Sequence, residues 1–445
     1  MFSFPDSFYL PGATLLKRQT ENHPFDWRSI TRISAAVIGL FVCVWMTVGA
    51  AKVGISRLLA DYGLRANVPA AADRAVSFGP YDPQVRYSRA AQLSSAGEFT
   101  AAAQELSRAV TIRPRDHFLW VELGLTRDLT GDAEGAIAAF KQATLLAPYY
   151  AQPRWQLGNA LFRAGQNAEA FVELRGAVAS NPALLPNTID LAYGLYGGDT
   201  AAVEQAVQPQ TPAARFALAR FFAKNGKSGD AIRLFRASGQ ISDEERQNLV
   251  TDFLSSHQFP AAYEVWASGS DKSRRGHLSG SQPSIVDGGF EEEIRAGAAP
   301  SFGWRIERSQ VIKASLSRRE PHSGSKSLLI EWNGDPQPWA SAASQLILVS
   351  PNKSYRLSFW ARAEDLVTAG SPIVLVSASG KTERLLTYSP PLAQTASDWR
   401  QYSLQFQTDA DTQAITLTVR REECSARPCP IFGRLWFDDF TLNNP

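Results

Sequence analysis

Three rhythms of apolar and polar positions divide this chain. The first is an unbroken run from Ile33 to Ala51, ISAAVIGLFVCVWMTVGAA, without a charge. At a rise of about 1.5 Å per residue it nearly spans a hydrocarbon core of about 30 Å, and Arg32 and Lys52 bracket it. It predicts a single transmembrane helix. A cleaved signal peptide ending near Val48-Gly49-Ala50 is the rival reading, and a buried core helix is a third. The polar stretch over residues 1–32 is too long for an ordinary signal and favours a retained anchor. Lys17, Arg18, Arg28 and Arg32 precede the run, against Lys52, Arg57 and Arg65 after it. This slight bias places the N-terminus in the cytoplasm.

The second rhythm is helical and repeats. Residues 83–116, 117–150 and 151–184 align without a gap. Gly97, Gly131 and Gly165 share one column, and Ala102, Ala136 and Ala170 another. Leu106/Phe140/Leu174, Ala109/Ala143/Ala177 and Pro114/Pro148/Pro182 give three more. Small residues suit the close crossing of two helices, large apolar ones fill the gap to the next hairpin, Gly makes the turn, and Pro stops the second helix. These columns, with Trp120, Leu123 and Gly124, resemble the tetratricopeptide repeat family. The pattern wears through 185–208, recovers over 212–242, and ends in a last hairpin over about 243–268. The resemblance implies an all-α solenoid that binds a protein partner in a groove lined by first helices. Tyr87, Phe118, Trp155, Asn159 and Phe162 are the candidates for that groove, and packing between repeats is the alternative for some of them.

The third rhythm alternates. Residues 269–283, GSDKSRRGHLSGSQP, read as a linker. Beyond them, expected strands include Ser284–Glu292, Ser327–Trp332, Ala342–Val349, Tyr355–Ala363, Ile373–Ser379, Trp399–Gln407, Ala414–Arg420 and Leu435–Leu442. Eight or more strands without helices predict a two-sheet sandwich. Val286-Asp287-Gly288-Gly289-Phe290-Glu291, Gly303-Trp304, the loop His322 to Leu328, Tyr355 to Ala363, and Trp436-Phe437-Asp438-Asp439-Phe440 together resemble the jelly-roll carbohydrate-binding modules of bacterial cellulases and xylanases. The resemblance implies a structural Ca²⁺ held by Glu291 or Glu292, Asp438 or Asp439, and carbonyls near Gly324 and Lys326; hard oxygen donors suit that ion. Solvated strand ends, or pairing with Arg434, are the alternative. Sugar binding needs flat apolar faces beside polar groups, which points to Trp339, Gln345, Trp332 and Arg362; core packing is the alternative for the aromatics.

Composition changes this picture little. The 445 residues carry 45 Lys and Arg against 43 Asp and Glu, so no broad footprint for nucleic acid appears. Cys43 lies in the apolar run. Cys424 and Cys429 are spaced to close a short disulfide loop in an oxidising compartment, with reduced thiols or half a metal site as alternatives. No Gly-x-Ser-x-Gly elbow, phosphate-binding glycine loop or His-Glu-x-x-His motif is present. Adjacent carboxylates such as Asp438 and Asp439 point to opposite faces of a regular strand, which argues against a glycosidase pair.

The expectation is therefore a non-catalytic, multidomain protein: a cytoplasmic tail (1–32), a transmembrane helix (33–51), a juxtamembrane helical segment (52–82), helical repeats (83–268), a linker (269–283) and a jelly-roll sandwich (284–445). The expected location is a bacterial inner membrane with the bulk in the periplasm. The expected role is a scaffold joining a protein partner and a polysaccharide. The alternative is a pure protein-assembly factor whose sandwich binds no sugar.

Overall fold

A computed structural model describes residues 27–269, 285–294, 302–380, 382–394, 398–424 and 428–444. Most of the expected tail and nearly all of the expected linker lie outside these residues. The chain divides between Ser180 and Asn181 into two compact units.

The first unit opens with α1 (Trp27–Arg65), one unbroken helix of 39 residues. Its stretch Thr31–Arg65 is long and apolar enough to cross a membrane; signal sequences share that property. Side chains are exposed from Thr31 to Ile55. The far end is built differently. Ala60 packs with Ala75 of α2 (Pro69–Phe78) and Val85 of α3 (Pro83–Ser95). Arg57 reaches Asp82 at 2.7 Å, and the Gln92 side chain donates to the Gly63 carbonyl. The apolar run therefore continues, without a break, into a helix that belongs to the folded array.

Three hairpins follow, at the predicted places: α3 with α4 (Phe99–Ile112), α5 (His117–Leu129) with α6 (Ala133–Leu146), and α7 (Ala151–Arg163) with α8 (Asn167–Ser180). Asp82 and Asp116, one repeat apart, cap α3 and α5 by accepting from the backbone two residues on. Gly97, Gly131 and Gly165 take φ of 80°, 80° and 75°, the left-handed conformation their turns require. Gly124 lets Phe140 lie against α5: a Cβ there would meet the ring at 2.5 Å. The Pro80, Pro114 and Pro148 carbonyls, again one repeat apart, accept from Arg86, Trp120 and Arg154.

In the second unit the worn repeats remain helical hairpins. They pair α9 (Leu185–Leu195) with α10 (Thr200–Val207), α11 (Pro212–Lys224) with α12 (Ser228–Ala237), and α13 (Asp243–Ser255) with α14 (Phe259–Ala267). Ser242 and Glu245 form a reciprocal capping box at the start of α13.

Among the described residues, ten antiparallel strands complete this unit. They are β1 (Arg305–Ile306), β2 (Ile312–Ser317), β3 (Ser327–Gly334), β4 (Ser341–Leu348), β5 (Ser354–Thr368), β6 (Pro372–Ser379), β7 (Arg384–Tyr388), β8 (Arg400–Gln407), β9 (Ala414–Arg421) and β10 (Ile431–Asn443). One sheet has the order β1-β4-β9-β6-β7 and the other β2-β3-β10-β5-β8. Alternate residues of both, with Phe290 and Trp304, fill one core. Phe440 sits at its centre, with Phe359 at 5.0 Å and Trp304 at 5.2 Å.

Residues 286–289 form turns rather than the expected strand, with Asp287 and Phe290 at positive φ. The Asp287 side chain accepts from Glu291 and Glu292, a local bonding pattern that competes with a ladder. Tyr263 and Trp266 of α14 hold the buried Phe302 ring, at 5.0 and 5.7 Å. The last helical hairpin and the sandwich therefore share an aromatic contact.

Candidate functional site

In the first unit, Tyr87 and Phe118 meet edge to face at 5.3 Å. Phe118 is exposed, while Tyr87, Trp155, Asn159 and Phe162 are half-buried. The Asn159 amide is turned back onto the Trp155 carbonyl, and Phe162 packs on Phe171. Sequence reading missed Glu122. Burial raises its carboxyl above the usual range, and Glu122 in turn adds to the raised value of Tyr87, whose own burial is the larger cause. An acid inside the otherwise apolar stretch from Phe118 to Leu125 was its signal.

The four expected sugar contacts separate. Trp339 projects from the β3–β4 loop and is 72% exposed. Trp332 is in the core, 3% exposed. Gln345 also faces inward, accepting from the Val286 N–H and donating to the Val286 carbonyl, so it locks the module's first residues to β4. Arg362 lies on the outer face of the other sheet. It is paired with Glu320 and stacked over Trp436, with Cζ 4.6 Å from the ring centroid. The parity of β4 and β5 explains the split, since neighbouring strand positions face opposite ways.

What braces the Trp339 loop was not legible. Asp335, four residues earlier, accepts from the buried Arg421 guanidinium and from the Cys429 N–H. Arg421 also donates to the Pro336 carbonyl. Cys424 and Cys429 are disulfide-bonded, Cα to Cα 6.3 Å. The β3–β4 and β9–β10 loops and the end of β9 thus converge behind one exposed indole. Ser341, two residues beyond Trp339, pairs in register with Arg420, whose Nε is buried without a partner. The outer face of this sheet carries Thr416, Thr418, Ser377 and Leu346, with Tyr388 at its edge strand.

The expected calcium ligands all lie around the loop from His322 to Lys326. Glu291 accepts from the Ser325 N–H and hydroxyl and from the Lys326 N–H, which hold its carboxyl below the usual range. The Lys326 ammonium donates to the Glu291 carbonyl. Asp438 accepts from the His322 and Ser323 N–H groups, and Asp439 pairs with the His322 ring and the Ser323 hydroxyl. The bulge at Asp439, φ 52°, brings both aspartates to one loop, against the expected opposite faces. Glu292 is exposed on the near side. Among the described residues no three His, Cys, Asp or Glu side chains converge as a metal site. Glu291 and Asp438 thus accept from backbone donors, Asp439 pairs with side chains, and a lysine lies on the Glu291 carbonyl, so the loop is closed by its own hydrogen bonds. Burial pushes Asp438 up to about 6, yet its side chain is inaccessible, so it serves as a loop brace rather than as an acid for a substrate.

Residues 282–426 match the family described as carbohydrate binding domain. Among solved structures, the chain is similar to one described as CBM4 structure and function, at 19% identity over 36% of this chain and 100% of that one, TM-score 0.28. It is also similar to MamA from Desulfovibrio magneticus RS-1, at 17% identity over 36% of this chain and 97% of that one, TM-score 0.31. A third is the Clostridium thermocellum xylanase 10B CBM22-1–GH10 structure complexed with xylohexaose, at 14% identity over 36% of this chain and 28% of that one, TM-score 0.26. No curated protein matches the chain. The described residues join repeated helical hairpins to a two-sheet sandwich, and the family match falls on the sandwich.

Proposed function

We propose that this chain is a membrane-anchored, non-catalytic scaffold of the bacterial envelope. The apolar half of α1 is its anchor, and everything after Lys52 lies in the periplasm. The repeat groove at Tyr87, Phe118 and Trp155 takes a protein partner, and the sandwich takes a glycan in polysaccharide assembly or export. The observation that carries the glycan half is Trp339: a large flat apolar side chain, 72% exposed, held on a loop that a buried ion pair fixes from behind. A pyranose ring needs such a face, and preorganisation lowers the cost of binding it.

The opposing reading, protein assembly without sugar, draws on the outer face of the same sheet. Thr416, Thr418, Ser377 and Leu346 offer hydroxyls and methyls there, and Tyr388 only at the edge. Titration of the detergent-solubilised full chain with β-glucans, xylans and bacterial exopolysaccharides, with and without Ca²⁺, separates the two. The full chain is required because α14 covers Phe302. Glycan binding that Trp339→Ala weakens, unchanged by Ca²⁺, is expected. A folded chain that gives no heat with any sugar leaves the protein-assembly reading, to be pursued with Trp155→Ala in partner capture.

A further inference from the structure

The outer face of the β2-β3-β10-β5-β8 sheet carries an open cleft of about 480 Å³, and Trp339 is not among its walls. Its polar lining is Arg319, Glu320, Arg362, Glu364, Asp365 and Gln394. A strand irregularity creates it. β5 turns Tyr355, Leu357, Phe359, Ala361 and Ala363 into the core, and next Leu366. The alternation breaks at Asp365, φ 52°, opposite Gly433, φ 117°. The ladder skips between Arg434↔Glu364 and Phe432↔Val367. A Cβ at position 433 would lie 2.4 Å from the Asp365 carbonyl, so glycine permits the bulge. The extra residue turns two consecutive acids, Glu364 and Asp365, away from the core, which a regular strand could not do.

Much of the lining's bonding capacity is unspent. Glu364 stands 3.5 Å from Arg319 and 3.6 Å from Arg434, beyond direct hydrogen-bond length. Asp365 has no side-chain partner among the described residues. Gln394 donates to the Thr368 carbonyl and the Ser371 hydroxyl, which leaves its carbonyl oxygen. The lining's two guanidinium groups, Arg319 and Arg362, face three carboxylates, Glu320, Glu364 and Asp365, and Arg434 adjoins the lining beside Glu364. With mixed charges of both signs, such a cleft offers neither the large positive excess an oxyanion needs nor the large negative excess a cation needs, and its apolar lining is Ala363, Leu366 and Val367. Alternating carboxylate and guanidinium forks match neighbouring hydroxyl groups, which both donate and accept.

We infer that this cleft is a second, separate site for a neutral saccharide, read through hydrogen bonds rather than ring stacking. The inference goes beyond the Trp339 reading and can stand without it. The test is titration of the detergent-solubilised full chain with xylohexaose and cellohexaose. The variants are Trp339→Ala and the shape-preserving pair Glu364→Gln with Asp365→Asn. The expected wild-type stoichiometry is two. Trp339→Ala leaves one site, and the paired variant weakens the other at least tenfold. Loss of all binding in Trp339→Ala, with the paired variant silent, overturns the cleft and keeps the Trp339 reading. Loss in the paired variant, with Trp339→Ala silent, does the reverse. No heat with either sugar from folded protein overturns both. Affinity that falls steeply with salt overturns the assignment of a neutral ligand.

Discussion

The hairpins of α3–α8 and the β-sandwich hold their charges in opposite ways. In the first and third of these hairpins, Arg86 meets Glu105 and Arg154 meets Glu173, each 19 residues apart. In the sandwich, Arg421 meets Asp335 across 86 residues and His322 meets Asp439 across 117. The first arrangement is largely local, with Arg163 to Asp128 a tie between neighbouring hairpins, and the next hairpin stacks on an apolar face. The second ties loops from distant parts of the chain into one brace. Damage in the hairpins should therefore stay within the first unit, whereas a single loop residue of the sandwich should move several loops at once.

Gly124→Leu tests the first half of that contrast and has the largest expected effect. The new side chain must displace a Phe140 ring that is wholly buried and meets even a Cβ at 2.5 Å. Overpacking of this kind costs about 3 kcal/mol, against a helix-propensity gain of about 1 kcal/mol. In calorimetry the helical transition of the first unit should fall by several degrees while the sandwich transition, followed by near-ultraviolet dichroism, holds its midpoint. A joint shift of both transitions would end the claim of modularity.

Asp335→Ala tests the second half. It strips the Arg421 guanidinium, 3% exposed, of its carboxylate and removes the acceptor of the Cys429 N–H. Asp335 is partly open to solvent, so the loss should be about 2 kcal/mol rather than the larger cost of a fully buried pair. Glycan affinity at Trp339 should fall with it, although Asp335 touches no ligand. The measurement is a denaturant midpoint alongside the titration. Stability that drops while affinity holds would detach the brace from the site.

The same contrast governs what the sequence could show. The hairpins were legible to the residue because their packing is local and recurs: Gly97, Gly131 and Gly165 mark the turns, and Gly124 and Gly158 the crossings. The sandwich was legible as a class, since alternation survives in β3, β4, β5 and β9. Its site was not. Trp332 and Trp339 are equivalent as letters, and only the register of β3 and the Asp335–Arg421 tie separate a core ring from an exposed one. Arg362 read as a free contact because Glu320, 42 residues away, leaves no local trace. The paired aspartates misled for the opposite reason, because a bulge breaks the parity of a regular strand.

The smallest expected effect concerns those aspartates. Burial is the main reason the Asp438 carboxyl rises to about 6, from 3.8. The repulsion of Asp439 adds to the rise, and the N–H groups of His322, Ser323 and Asp439 oppose it. A carboxyl that holds its proton more tightly when folded stabilises the fold in its protonated form. That stabilisation is complete below about 4 and is lost as the pH rises through about 6. Asp287, raised by burial, acts in the same direction; Glu291 and Glu320, both lowered, act oppositely and only in more acid solution. The sandwich should therefore melt higher at pH 5 than at pH 7.5, by an amount on the order of 1–2 kcal/mol. Asp438→Asn keeps an acceptor for the His322 and Ser323 N–H groups, gives up the one for the Asp439 N–H, and should flatten the difference. A wild-type sandwich that is no more stable at pH 5 would mean that those three donors outweigh burial, making the brace an anion held as firmly as the Asp335–Arg421 pair.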